Sequence, residues 1–399
     1  MKLIVLVNQN LNRTNLNRFN LGKKKNQLNK FFWSILPMND EKLFFEYNKS
    51  EYRPKKNKNF INIKSYYELY KNLKKVKKNT YFLNKAGNYL KSSLIELIMK
   101  FKGCIILKKI EWYENTHTSE NFINKISRIY KFGIIFTVKK FFRIFRFLIK
   151  RFLVEALSCK PNYFIIENQS RENYLKSQKI NNFIKVNSFT YSSFNKIKSK
   201  KNSKNYFVFL DSEIENSFES KVLKNKHGFI NHLKYWKCLE NIFDQLSKNF
   251  KMDIKIASHF RRSKYNKPIK KKFYFDQTLK LIKNSKFVVV QNSSAIDWAI
   301  LLKKPILLLN FKAFDAISLE NSDSIKFYKN KLLLEIINID SNYNFKMKKK
   351  MNSLFNVNKE KYQKFSKFYL NYKTCKFPHL DEWDMIYNKL NKKLNYKTR

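Results

Sequence analysis

Two adjacent hydroxyls stand where an apolar run gives way to an amphipathic one. In "KFVVVQNSSAIDWAILLKKPILLLN", Lys286 to Asn310, Ser293 and Ser294 follow Gln291 and Asn292 with no glycine nearby. The stretch reads as strand, helix, strand, so the pair falls at a helix start. The first N–H groups there lack intrahelical partners and carry partial positive charge. Two hydroxyls added to them form a phosphate site without a glycine-rich loop. An ordinary N-cap is the competing use of either serine. Upstream, "DIKIASHFRRSKYN" brings His259, Arg261, Arg262 and Ser263 to the end of a neighbouring strand. A cationic cluster facing a helix N-terminus is what a departing phosphate needs as its charge grows. The planar fork of arginine matches phosphate oxygens, although solvated loop charges would look the same in sequence.

A third strand end, "YFVFLDSEIE", carries Asp211, Glu213 and Glu215 in a chain poor in acids. Taking a proton from a hydroxyl requires a carboxylate or an imidazole within hydrogen-bond reach. Asp211 is one candidate base and Glu167, after "YFIIE", is the other; spacing does not choose between them. No DxD pair occurs and the histidines lack ligand spacing, so neither a metal site nor a cofactor is expected.

These positions need sheets to hold them. "LIVLV" (Leu3–Val7), "FINI" (Phe60–Ile63), "TYFLN" around Phe82 and "GCIIL" (Gly103–Leu107) read as strands. "PNYFIIEN" (Pro161–Asn168) and "NFIKVN" (Asn182–Asn187) complete that half. Between the third and fourth of them, Leu90, Leu94, Leu97 and Ile98 share one helical face. After "SSFNKIKSKKNSKN" the pattern restarts with "YFVFLD". A helix with apolar residues at 233, 236, 239, 242, 243 and 246 follows, then "DIKIASH", then a helix that Asp276 could cap. Two late helices are expected near 359–373 and 381–394. Alternating strands and helices imply parallel sheets covered by helices, an α/β protein. The expected division is a Rossmann-like domain at 1–191, a linker at 192–205, and a second Rossmann-like domain at 206–399 carrying the terminal helices, with a cleft between them.

Composition restrains the functional reading. The formal charge of +53 invites nucleic acid or membrane as a partner. Yet Lys, Asn, Ile, Phe and Tyr are all abundant while Gly (5) and Pro (6) are scarce, the signature of AT-rich codons. The lysines run along the whole chain without a discrete basic arm, so no nucleic-acid partner is expected. Four scattered cysteines form no CxxC pair, which fits a reducing cytoplasm. The five apolar residues opening the chain are too few for a signal-peptide core, and no apolar run is long enough to span a membrane.

The stretch Tyr206 to Asn310 resembles the C-terminal domain of GT-B-fold glycosyltransferases from surface-polysaccharide gene clusters. The likeness is carried by "FVFLD", "LKYWKCLENIFDQL", "IASHFRRS" and "NSSAIDWAILLKKPILLL". The His and Ser-Ser elements also resemble the paired motifs of bacterial sialyltransferases and capsule Kdo transferases, which hold the phosphate and ribose of a CMP-sugar. A similar Ser-Ser helix occurs in polyol-phosphate transferases of teichoic acid synthesis. Phe260 stands where the pattern has proline, and the acidic-acidic-glycine motif is absent. The resemblance implies a metal-independent transferase that moves a sugar from a nucleotide-sugar donor to a glycan or lipid-linked acceptor. In that reading Ser293 and Ser294 hold the phosphate, His259 and Arg261 offset its charge with Arg262 and Ser263 assisting, and Gln291 or Asn292 touches the nucleotide. A CDP-polyol phosphotransferase and a non-catalytic basic binding protein are the alternatives.

Location is addressed by "GIIFTVKKFFRIFRFLIKRFLVEAL", Gly133 to Leu157. On a helix, Lys139, Arg143, Arg146 and Lys150 form one basic stripe among phenylalanines. Such a helix can lie in a membrane interface, or pack its broad apolar face on a sheet. A cytoplasmic protein, peripheral on the inner membrane face if 133–157 inserts, is the expectation.

Overall fold

The structure is a computed structural model that describes residues 2–8, 29–39, 57–86, 90–110, 149, 153, 156–157, 159–197, 204–213, 232–259, 262, 268–311, 319–339, 355, 357–370 and 380–397. The chain forms two compact units. One comprises Met1–Ile166, Arg171–Val186 and Trp383–Arg399; the other comprises Glu167–Ser170 and Asn187–Glu382.

The first unit is built on a seven-stranded sheet in the order β3-β2-β1-β4-β5-β6-β7, every pairing parallel. Its strands are β1 (Lys2–Val7), β2 (Asn29–Ser34), β3 (Phe60–Asn62), β4 (Tyr81–Lys85), β5 (Ile105–Lys109), β6 (Tyr163–Ile166) and β7 (Phe183–Lys185). Strand β1 is apolar along its length because it is covered on both faces. Leu3, Val5 and Val7 point into one core layer and Ile4 and Leu6 into the other, the period-two alternation of a strand. Helices Tyr66–Lys74 and Leu90–Phe101 cover one face through Leu69, Leu73, Ile95 and Met99. The last helix, Glu382–Lys397, covers the other through Trp383, Ile386 and Leu390. The division expected from sequence counted this helix with residues 206–399. Its apolar stripe lies instead on the first sheet, where Trp383 meets Phe32 edge-on at 5.6 Å.

The second unit carries a six-stranded parallel sheet in the order β10-β9-β8-β11-β12-β13. Its strands are β8 (Tyr206–Leu210), β9 (Asp253–Ala257), β10 (Phe273–Tyr274), β11 (Val288–Val290), β12 (Ile306–Asn310) and β13 (Ile336–Asn338). Helix His232–Phe250 covers one face with Tyr235, Trp236, Leu239, Phe243 and Leu246, a 3.6-residue stripe. Helices Thr278–Asn284, Ile296–Leu301, Leu319–Leu332 and Lys359–Phe365, the last continuing as a π turn to Leu370, lie on the other side.

Two doubly wound, helix-covered parallel sheets are the Rossmann-like α/β architecture expected. Details differ. Strands β2, β10 and β13 were not read from sequence. Asp276 sits at φ 56°, one residue before the N-cap position, which Gln277 occupies without a side-chain cap hydrogen bond. The linker expected from 192 begins inside a helix, Phe189–Asn195, capped by Ser188 and joined to Trp298 through an indole N–H donating to the Thr190 carbonyl at 3.0 Å. Nearly all of 133–157 lies outside the described residues. Among the described residues no helix is long and apolar enough to cross a membrane, and Cys104 and Cys159 are free thiols.

Candidate functional site at the carboxyl edge of the second sheet

The order of the second sheet places its topological switch between β8 and β11. From β8 one chain path leads outward to β9; from β11 another leads outward to β12. Connections leaving in opposite directions make a switch point, the place where open α/β sheets bind ligands. Register puts Gln291 beside Asp211 there, since Val290 pairs with Leu210.

Asp211 is buried, and four N–H groups converge on its carboxylate. Arg262 donates Nε to Oδ2 at 2.5 Å and Nη2 to Oδ1 at 2.9 Å. The backbone N–H of Glu213 donates to Oδ1 at 2.9 Å and that of His259 to Oδ2 at 3.3 Å. Both members of the ion pair are only 2% exposed in their side chains. The guanidinium of Arg262 lies 5.0 Å from the Trp236 ring centre and 5.7 Å from that of Phe273. Aromatic faces and a bidentate carboxylate together satisfy a charge that could not otherwise be buried. Arg262 was expected to assist at the substrate; its guanidinium is instead enclosed. Asp211 was weighed as the base, but its oxygens are already engaged in tying the loop after β8 to the loop after β9.

That tie shapes what the loops present. Glu213 is held at φ 51°, a left-handed conformation costing a residue with a Cβ about 1–3 kcal/mol. The Glu213 carboxylate then comes within 3.4 Å of His259 Nδ1, both side chains being partly exposed. Sequence reading noted Glu213 as an acid without giving it a role; only the turn made by Asp211 brings it to His259.

On the other side of the switch, the Tyr235 hydroxyl donates to Gln291 Oε1 at 2.6 Å. Gln291 Nε2 is buried with no hydrogen-bond partner, and so is Ser212 Oγ after β8. Buried donors are ordinarily satisfied, and leaving one unmet costs about 1–3 kcal/mol. Two such groups lie at adjoining strand ends. Asn292 and Ser293 are half-buried and Ser294 is exposed. Ser293 Oγ accepts from the Ala295 N–H at 3.3 Å, and turn bonds lead into the six-residue helix Ile296–Leu301.

The strand bearing His259 was expected beside the strand bearing Ser293. Strand β8 lies between them, so the two loops stand two strand spacings apart, about 10 Å. Glu167 follows β6 of the first sheet and is half-buried; its neighbour Asn168 donates to the Tyr369 carbonyl at 2.7 Å. Arg261 and Ser263 lie outside the described residues, as does Phe260. Ser212 and Tyr235 were not anticipated: Tyr235 reads as one more apolar position of its helix, and nothing local marks Ser212.

No protein-family description matches this chain, and neither does any curated protein. Among solved structures it is similar to the UDP-GlcNAc 2-epimerase of Methanocaldococcus jannaschii in complex with UDP-GlcNAc and UDP, at 15% identity over 92% of this chain and 98% of the other, with a TM-score of 0.45. It is also similar to S. aureus MnaA with UDP (12% identity, 100% and 98% covered, TM-score 0.48). A variant of the wall teichoic acid polymerase TagF gives 11% identity, 99% and 90% covered, and a TM-score of 0.48. At such identities and scores these likenesses decide neither activity nor ligand.

Proposed function

We propose that this chain is a glycosyltransferase that moves a sugar from a nucleotide-sugar donor to a glycan or lipid-linked acceptor of the cell surface. The observation that carries the reading is the pair of unmet buried polar groups, Gln291 Nε2 and Ser212 Oγ, at the switch point of the second sheet. They suit a ligand rich in acceptor oxygens, as a nucleotide is. Ser294, Ser293 and Asn292 border the same strand end, and Arg261 and Ser263 keep their proposed place beside the phosphate. His259, on the far side of β8, offsets negative charge as the sugar–phosphate bond breaks. Glu213 orients that imidazole.

In the proposed step an acceptor hydroxyl attacks the anomeric carbon, the bond from that carbon to the phosphate oxygen breaks, and the nucleotide leaves with the electron pair. A carboxylate takes the hydroxyl proton. With Asp211 committed to Arg262, Glu167 is the remaining choice among the two weighed. The motif resemblance favours a CMP-sugar, and no metal takes part in this proposal. The similar Ser-Ser element of polyol-phosphate transferases supports the second reading, transfer from a CDP-polyol.

The test is a donor screen with purified protein, read by release of CMP or another nucleotide and by the mass of the product. His259→Ala or Ser294→Ala is expected to lower turnover about a hundredfold with the fold intact. Undiminished rates in both variants would remove these residues from the mechanism. A product gaining a polyol phosphate would select the second reading.

A further inference from the structure

The helices Tyr66–Lys74 and Leu90–Phe101 share one core layer on the first sheet, so their opposite sides face away from it together. That outer side is unusual. Tyr66 is 63% exposed, Tyr67 73%, Tyr70 54%, Leu94 44% and Phe101 82%. These are five of the eleven exposed large hydrophobic side chains among the described residues, gathered on two adjacent helices. Helical spacing explains the gathering. Tyr66, Tyr67, Tyr70, Lys71 and Lys74 fall on one arc beside the buried Leu69 and Leu73, while Leu94 and Phe101 are two turns apart on one side of their own helix. Lys91 links the two, its ammonium 5.7 Å from the Tyr66 ring centre.

Charge accompanies the aromatics. Between residues 64 and 78 there are six lysines, all exposed, against a single acid, Glu68. That acid is drawn into the helix cap: its Oε2 accepts the Lys64 N–H at 2.8 Å, and Ser65 Oγ accepts the Glu68 N–H at 3.2 Å. Codon bias supplies lysine, tyrosine and phenylalanine throughout this chain, but it does not set where they gather, and here the exposed ones collect on one face.

We propose that this face docks on a lipid bilayer containing anionic headgroups. Tyrosine rings have an apolar body and a polar tip and settle at the boundary between acyl chains and headgroups. Leu94 and Phe101 gain by entering the acyl region, and flexible lysine ammonium groups reach diffuse headgroup charge around them. A nucleic acid fits less well. No arginine occurs between residues 57 and 110 to grip phosphates in a fork, and an exposed leucine beside an exposed phenylalanine gains little from a polyanion in water. The proposal does not depend on the reading of the second sheet.

The experiment is co-sedimentation of the full chain with vesicles of phosphatidylcholine alone, or of phosphatidylcholine with about 30 mol% phosphatidylglycerol, at roughly 0.1 M salt. Binding to the anionic vesicles only is expected. A Tyr66→Ser, Tyr67→Ser, Tyr70→Ser variant, and separately a Leu94→Ser, Phe101→Ser variant, are each expected to bind on the order of tenfold more weakly at unchanged melting temperature. These side chains are exposed, so folding is spared. Equal binding to both vesicle types would overturn the proposal, as would variants that bind like the parent. So would a single-stranded oligonucleotide that binds as tightly as the anionic vesicles and is lost equally in both variants.

Discussion

Removing the Asp211 carboxylate tests how the site is held. In Asp211→Ala the Arg262 guanidinium stays at a position 2% exposed and loses its carboxylate, and the N–H groups of Glu213 and His259 lose their acceptor. At the 2.9 Å separation of Nη2 and Oδ1, two unit charges attract by about 6 kcal/mol at an effective dielectric constant of about 20. The cost of burying both charges offsets much of that gain, and breaking a buried pair from one side typically costs about 3–5 kcal/mol. Asp211→Ala is therefore expected to lose about 4 kcal/mol, and Arg262→Met a similar amount because the carboxylate is left with two backbone donors. The double variant removes both charges and is expected to lose no more than about 5 kcal/mol, a coupling of at least about 3 kcal/mol. Urea unfolding followed by tryptophan fluorescence measures this, since Trp236 stands against the guanidinium. Losses below about 1 kcal/mol in each single variant, or losses that simply add, would refute the view that this pair anchors the two loops.

Two further expectations concern the first unit. Trp383→Ala empties the space between the last helix and Phe32 and should cost about 3–5 kcal/mol, seen as an earlier unfolding transition of that unit in denaturant. Glu96 is buried, and burial raises its pKa against the opposing pull of an Asn84 hydrogen bond and of Lys108 and Lys100. A raised folded-state value means its contribution to stability is fully present below the unfolded carboxylate pKa, about 4.3, and is lost as pH rises through the folded value. Glu96→Gln keeps an acceptor for Asn84 without a charge. Its melting temperature should exceed that of the parent at neutral pH and converge with it toward about pH 4; a constant offset across that range would show that ionisation is not the cause.

Much of the frame was legible because β1, β8, β11 and β12 are central strands covered on both faces, which forces uninterrupted apolar runs. Strand β2 escaped notice because Lys30 and Ser34 lie within it, both buried, one lysine finding the Trp383 ring at 5.4 Å. The terminal helix announced its own existence by its apolar spacing but not its destination, since periodicity says which face is buried and not against what. At the site, residue types at strand ends were visible. Their partnerships were not, because Arg262 meets Trp236, Phe273 and Asp211 from three separate parts of the chain, and because the placement of β8 between β9 and β11 is a crossover that local spacing does not encode.

The route of the chain has a consequence for synthesis. Leu3, Val5 and Val7 share their core layer with Trp383, Ile386 and Leu390, made nearly four hundred codons later. While the second lobe is being translated, that layer waits for the side chains of the last helix. Order of synthesis and order of completion are thus reversed, and apolar surface that the helix will cover is exposed to misassembly in the interval.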